Sequence, residues 1–512
     1  MQLPIVLCPT ARQPLQRQLF DQIRELVLSG RLKPGTPLPA SRALADQLGV
    51  SRNTVLLTYE QLLAEGYLQT RQAVGTYVSL ELPEDCLAAR RAPAVPDAEA
   101  CVHACTHPLP FHGRSQALVN PHRLAYDFWL GRPDPHSFPI KAWHRLVNRA
   151  LASAGTRFTE YREPAGLFEL RKAIVDHLGP ARGISASPDQ VVIVAGSQGG
   201  LNLIARLLVR GDTRVATENP CYQGAAFLFE SHGAELLPVP VDEDGILVDL
   251  LPRSCVQLLY VTPSHQYPMG FMMSLERRLR LLDWARRSGA YIIEDDYDSD
   301  FRYRGSPLTA LQGLDRHDSV IYLGTFSKSM GAGLRLGYLV LPRQLVEPAR
   351  TAKALIDNGH PWLDQAVMAE YIASGAYDTH LRRIRQIYRE RRDCLLERLQ
   401  HHFGEVVITG QDGGMHVAWH LPRSFPQARE LQELVEAQGV GIYSLQSGAA
   451  YDFGGCAYSD RTVVLGFSSL DERRIRAGID RVAEAIARYR GTSAHTTAAD
   501  SAHPPLATNL TL

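Results

Sequence analysis

Four apolar runs, VVIVAG (191–196), CVQLLYVTP (255–263), AYIIED (290–295) and SVIYLGT (319–325), alternate with amphipathic stretches such as SLERRLRLLDWARRSG (274–289). Continuous apolar runs mark strands buried on both faces, and helical crossovers between them bring successive strands parallel. The fold class is therefore α/β, a mostly parallel sheet with helices on both faces. A chain of 512 residues exceeds what one hydrophobic core organises, so two or three domains are expected. The 54 Lys and Arg balance 54 Asp and Glu, which excludes a protein that coats nucleic acid or membrane by bulk charge. No apolar run is long enough to span a bilayer. The eight cysteines are scattered and no leader-like segment opens the sequence, so a cytoplasmic location is expected.

Composition sets the boundaries. Residues 80–122 are rich in Pro, Ala and Arg and read as a linker, and the small, polar stretch 491–512 reads as a disordered tail. Two folded parts are left, 12–79 and 123–490, the second with large and small subdomains, the small one running from about Pro342 to Arg490. Within the linker, Cys101, His103, Cys105 and His107 alternate at a spacing that suits no common zinc module, so no metal site is expected.

In PLQRQLFDQIRELVLSG, the residues Leu15, Leu19, Ile23, Leu26 and Val27 share one helical face and Gly30 ends the helix. A short helix from Ser41 to Leu48 leads through Gly49 to another that Ser51 caps, with Val50 and Val55 placed as a hydrophobic staple. Val55, Tyr59, Leu62 and Leu63 make its buried face, leaving Arg52, Asn53 and Thr54 exposed on the first turn, where a recognition helix meets the major groove. Residues 66–78 read as a two-stranded wing turning at Gly75. Residues 1–79 hold eight Lys or Arg against five acidic residues, a local basic surplus. The run LPASRALADQLGVSRNTVLLTYEQLLAEGYL followed by GTYV is similar to the GntR-type winged helix-turn-helix. The resemblance implies a double-stranded DNA operator as partner, with Arg42 and Arg52 contacting DNA and Ser41, Ser51, Thr54 and Gly75 near the phosphates.

A second chemistry lies in the α/β part. Pyridoxal 5'-phosphate (PLP) acts as an electron sink only where a carboxylate keeps its pyridine nitrogen protonated and a lysine holds it covalently. Asp295 and Lys328 both follow strand-like runs, which puts them at the carboxyl edge of the sheet where ligands bind. The turn AGSQGG (195–200) offers backbone N–H groups at a helix start, Thr325 and Ser327 offer hydroxyls, and Arg335 a cation, together suited to a phosphate. These residues, in this order, are similar to fold-type I aminotransferases. With EDDYDSDFRY, TPSHQYPMG and GTFSKSMGAGLRLGY they closely resemble the MocR/GabR-type regulators, over roughly residues 12 to 490.

That resemblance puts the Schiff base on Lys328, the pyridinium partner at Asp295 and a hydrogen bond to the cofactor's phenolic oxygen at Tyr297, the three catalytic positions. It assigns Ser197, Gln198, Thr325, Ser327 and Arg335 to the phosphate and places Tyr222 beside the ring. Tyr161, in YREPAGLFELRKAI, would reach the phosphate of a neighbour in a head-to-tail homodimer. Two positions depart from the aminotransferase pattern: Tyr267 stands where Asn is usual, and Val464 stands where an arginine usually binds the substrate carboxylate, with Arg461 three residues upstream. The leading expectation is a PLP-dependent transcriptional regulator that senses an amino compound or PLP itself; the alternative is an active aminotransferase carrying a DNA-binding domain. A scaffold with a dead domain is disfavoured because no cofactor-holding residue type has been lost.

Overall fold

The computed structural model describes residues 3–11, 13–71, 75–80, 124–253, 255–305 and 308–500, with side chains up to residue 490 apart from that of residue 71. The chain falls into two units, Met1–His107 and Pro108–Leu512. The linker and its Cys101 to His107 cluster lie outside the described residues.

In the first unit, α1 (Leu15–Leu28), α2 (Ser41–Leu48) and α3 (Arg52–Ala64) precede an antiparallel pair, β1 (Leu68–Arg71) and β2 (Gly75–Val78). Leu19, Ile23, Leu44, Val55 and Leu62 form its core. Ser51 caps α3 by accepting a hydrogen bond from the Thr54 N–H at 3.1 Å, and Val50 packs against the same core as Val55, as the staple requires. Thr58, rather than Leu63, completes the fully buried face of α3, its hydroxyl donating back to the Thr54 carbonyl. Gly75 is the first residue of β2, paired with Arg71, and has φ +134. Residues 3–8, upstream of the expected boundary, also join this core: Leu3 and Ile5 are buried, and Gln18 on α1 exchanges hydrogen bonds with the Cys8 backbone at 2.9 and 3.0 Å.

The second unit is built on an eight-stranded sheet. From one edge its strands run Val191–Val194, Gly337–Val340, Val320–Thr325, Tyr291–Asp296, Leu258–Val261, Arg214–Asn219, Glu235–Asp242 and Gly245–Ile246. The central pairs are parallel, while Gly337–Val340 runs antiparallel to both its neighbours. Nearly every residue of the central strands is buried, because helices cover both faces. The helix Leu275–Ser288, which matches the amphipathic stretch 274–289, is capped by Ser274, which accepts from the Arg277 N–H, and closed by Gly289 in the left-handed region.

The smaller subdomain holds a four-stranded antiparallel sheet in the order Val407–Thr409, His416–His420, Thr462–Gly466, Tyr443–Ser444, packed with the long helices Ala376–Phe403 and Glu472–Asp500. The strand Tyr126–Asp127 pairs with Val440–Gly441, so the start of the unit is stitched onto its late part. The last helix continues ten residues into the stretch expected to be a disordered tail. A helix already nucleated on a packed base extends at little cost through residues lacking proline, and the first proline after it is Pro504.

Candidate cofactor site and DNA-reading surface

Strand periodicity sorts the three acids that end Tyr291–Asp296. Successive side chains alternate faces. Glu294 accepts the Leu311 and Gln312 N–H groups at 2.8 and 2.9 Å, and Asp296 is bound by Arg182 and Tyr322 at 2.8 and 2.6 Å, so both are structural. Asp295 faces the other way, into a cavity of about 580 Å³ at the carboxyl edge of the sheet. Its Oδ2 accepts from the Tyr260 hydroxyl at 2.7 Å, while its buried Oδ1 has no partner among the described residues. Burial pushes this carboxyl up to about 7 against the opposing pull of Tyr260. A buried carboxylate oxygen lacking a donor is what a protonated pyridine nitrogen would satisfy.

Lys328 lines the same cavity, its Nζ donating to the Gly131 carbonyl at 2.8 Å. Desolvation there lowers its pKa, which favours the neutral, nucleophilic amine. Gly131, at φ +64, is required by this approach: a Cβ would lie 2.6 Å from the Lys328 Nζ. At another corner the helix Gly196–Leu208 presents its N-terminus with Ser197 in the cavity wall, and Arg335 donates to the Ala195 carbonyl at 2.8 Å. Gly196, at φ +70, leaves room for that guanidinium, since a Cβ would stand 2.9 Å from it. Thr325 and Ser327 are tied hydroxyl to hydroxyl at 2.9 Å, and Gln198 donates to the Gly224 carbonyl at 2.8 Å; these three flank the corner without lining the cavity.

Tyr222, Tyr267 and Tyr297 form an aromatic wall, with Tyr267 edge-on to each of the other two at 5.8 Å. The Tyr297 hydroxyl donates to the His265 carbonyl at 2.9 Å, and the His265 Nδ1, 3.1 Å from that hydroxyl, also meets the Asp298 carboxylate at 3.0 Å. Tyr161 is 87% exposed and lies in a separate hollow with His360 and Trp362, away from this chain's cavity. The structure thus gathers Asp295, Tyr297, Lys328, Ser197, Tyr222 and Arg335 around one volume. Taken together, the orphaned Asp295 oxygen, the amine opposite and the helix start beside a guanidinium fit PLP.

Residues the sequence reading missed are Tyr260, Gly131, Trp129 and Arg132, all in the cavity wall. Tyr260 is found only through strand register, since it pairs with Ile293, two residues before Asp295. Val464 is buried in the small sheet, and Arg461 does not stand in for it: its guanidinium is spent on the Leu421, Pro422 and Phe425 carbonyls. Arg132 is paired with Asp127 at 3.2 Å, whose other oxygen accepts from Tyr443.

On the first unit, Arg42 and Arg52 are exposed, and the Arg52 Nε lies 3.5 Å from the Ser41 hydroxyl. The starts of α2 and α3 therefore share one surface carrying Ser41, Arg42, Ser51, Arg52 and Thr54, with the Ser51 and Thr54 hydroxyls 2.8 Å apart.

Residues 15–78 match the model of bacterial regulatory proteins of the gntR family, and residues 128–448 match that of aminotransferase class I and II. Over 493 residues the chain is 35% identical to a probable rhizopine catabolism regulatory protein, MocR, of Rhizobium meliloti, covering 96% of this chain and 97% of the relative. It is 33% identical to the pyridoxine biosynthesis transcriptional regulator PdxR of Corynebacterium glutamicum, covering 94% and 98%. Among solved structures, a kynurenine aminotransferase of Pyrococcus horikoshii is similar at a TM-score of 0.65 and 29% identity, over 73% of this chain and 93% of that one.

Proposed function

Because the chain belongs to the MocR-type family of transcriptional regulators, a GntR-type DNA-binding domain joined to an aminotransferase class I and II domain, we propose that it senses a small ligand at its PLP site and passes that signal to DNA. The DNA-binding domain and the PLP cofactor follow from the family; the effector, the dimer and the residue roles are the proposal. When bound, PLP supplies an electron sink and a carbonyl carbon that an amine can engage.

In this reading Lys328 holds the cofactor covalently and Asp295 keeps its ring nitrogen charged, with Tyr260 fixing the Asp295 rotamer. Tyr297 meets the phenolic oxygen, and Tyr222 flanks the ring. Ser197, Gln198, Thr325, Ser327 and Arg335 gather the phosphate, joined by Tyr161 from the other chain of a head-to-tail homodimer. Domain limits of 12–79 and 123–490, joined by a linker over 80–122, are part of the same proposal. Arg42 and Arg52 grip the operator, with Ser41, Ser51, Thr54 and Gly75 near its phosphates.

The observation that carries the reading is the orphaned Asp295 oxygen opposite the Lys328 amine. The sequestration of Arg461 and the pairing of Arg132 favour PLP itself over an α-amino acid as the signal: with Arg335 given to the phosphate, the other arginine in the cavity wall, Arg132, is already paired with Asp127. A visible absorbance titration of the PLP-loaded protein with a panel of amino compounds tests this. PLP sensing predicts an unchanged band. A shift that stops short of the cofactor's amine form would make that amine the effector, and steady conversion with a keto acid would establish an aminotransferase instead.

A further inference from the structure

Tyr297 faces the cofactor cavity, and its neighbour Asp298 faces a second cavity, of about 470 Å³. The walls come from the end of the helix Phe168–Arg182, the segment 298–302 and the first turns of the helix Ala376–Phe403. Four guanidinium groups, those of Arg182, Arg302, Arg382 and Arg385, line it against three carboxylates. Each carboxylate has a partner: Asp298 has His265 at 3.0 Å, Asp378 has His177 at 3.3 Å, and Asp300 accepts from the Tyr377 hydroxyl at 3.1 Å. Arg182 is likewise satisfied by Asp296 at 2.8 Å and by the Ser264 hydroxyl at 2.6 Å.

Among the described residues the other three arginines make no ion pair with a carboxylate at contact distance, although the charges of Asp412 and Asp300 act on Arg302 and Arg385 from further away. Arg302 sets one Nη against the thioether of Met272 at 2.9 Å, and its buried Nε has no partner among the described residues. Among the described residues Arg382 reaches only the Thr379 hydroxyl, at 3.0 Å, and Arg385 hydrogen-bonds only the Asp300 main-chain carbonyl, at 2.9 Å. Planar guanidinium forks clustered around one volume match a tetrahedral oxyanion, which accepts several N–H bonds and balances more than one positive charge.

We propose that this second cavity is a regulatory site for a small metabolite bearing a phosphate monoester, read by Arg302, Arg382 and Arg385. Occupancy is felt at the cofactor through Asp298, the His265 ring and the Tyr297 hydroxyl, a path with contacts of 3.0 and 3.1 Å. The site stands on its own arginines; only this coupling rests on the role given to Tyr297.

Calorimetric titration of the full-length, PLP-loaded protein with inorganic phosphate at constant ionic strength tests it, because the cofactor's own phosphate corner is then filled. Saturable binding at one site per chain is expected, with a shift of the cofactor's visible band. Arg302→Gln and Arg382→Gln should each weaken binding at least tenfold while leaving the phosphate-free spectrum unchanged; Arg382 is exposed, so its variant keeps the fold. Arg461→Gln should bind as the parent does. No saturable heat, heat that survives both substitutions, or binding of succinate in preference to phosphate would overturn the site. Phosphate binding without any spectral shift would overturn the coupling.

Discussion

In the first unit the candidate contacts, Arg42 and Arg52, stand exposed on the opening turns of α2 and α3, whereas in the second Asp295 is only 4% exposed and one of its oxygens lacks a partner among the described residues. The two regions handle polar groups in opposite ways. A DNA reader keeps its donors hydrated until phosphates and base edges replace water, so its affinity is salt-dependent and spread over several contacts. A cofactor site desolvates a few groups in advance and leaves them unsatisfied, so each residue there matters more and salt matters less. Single substitutions should therefore cut deep in the cavity and shallow on the recognition helix.

The sharpest contrast is expected from Lys328→Ala, which should abolish covalent capture of PLP, read as loss of cofactor retained after borohydride reduction, with circular dichroism unchanged. Asp295→Asn should weaken PLP binding by roughly 10- to 100-fold, in line with about 1.5–3 kcal/mol for a hydrogen bond to a charged group. The same variant carries a pH signature. Burial raises the folded Asp295 carboxyl to about 7, above its unfolded range, so in cofactor-free protein its protonated form contributes stability that is complete below about pH 4 and is lost as pH rises through about 7. Asn stays neutral, so the melting temperature of Asp295→Asn relative to the parent should climb across that window; a flat difference would contradict the buried, unpaired carboxylate.

Smaller effects belong to the DNA-reading module. Arg52→Ala should cost about 1–3 kcal/mol of operator affinity and leave the cofactor spectrum untouched, checked by fluorescence anisotropy at fixed salt. Ser51→Ala should remove the cap that receives the Thr54 N–H and destabilise the module by about 1 kcal/mol, visible as an earlier thermal transition. An Arg52 effect as large as that of Lys328, or none at all, would break the contrast between the two regions.

What the sequence made legible follows the same division. Local signals were readable: Ser51 as a cap, the central strands as apolar runs, and Asp295 and Lys328 as residues at the carboxyl edge of the sheet. Partners brought together from far along the chain were not. Gly131 meets Lys328 across 197 positions, and Tyr260 reaches Asp295 only because two parallel strands share a register. Arg461 lies only three residues from Val464 in sequence, but it ends the short turn Ser459–Arg461 ahead of the strand Thr462–Gly466, and its guanidinium is held by carbonyls of the segment 421–425. Leu3 and Ile5 escaped notice because a short segment without periodicity gives no sign that it will pack on α1.

The central claim is that the state of the cofactor site changes the grip on DNA. It is tested most directly by measuring operator affinity of the full-length protein, cofactor-free and PLP-loaded, over a range of salt concentrations. The account predicts affinities that differ between the two forms by roughly 5- to 150-fold, the scale of a coupling free energy of 1–3 kcal/mol, while both keep a salt-dependent slope. Equal affinity at every salt concentration would contradict it.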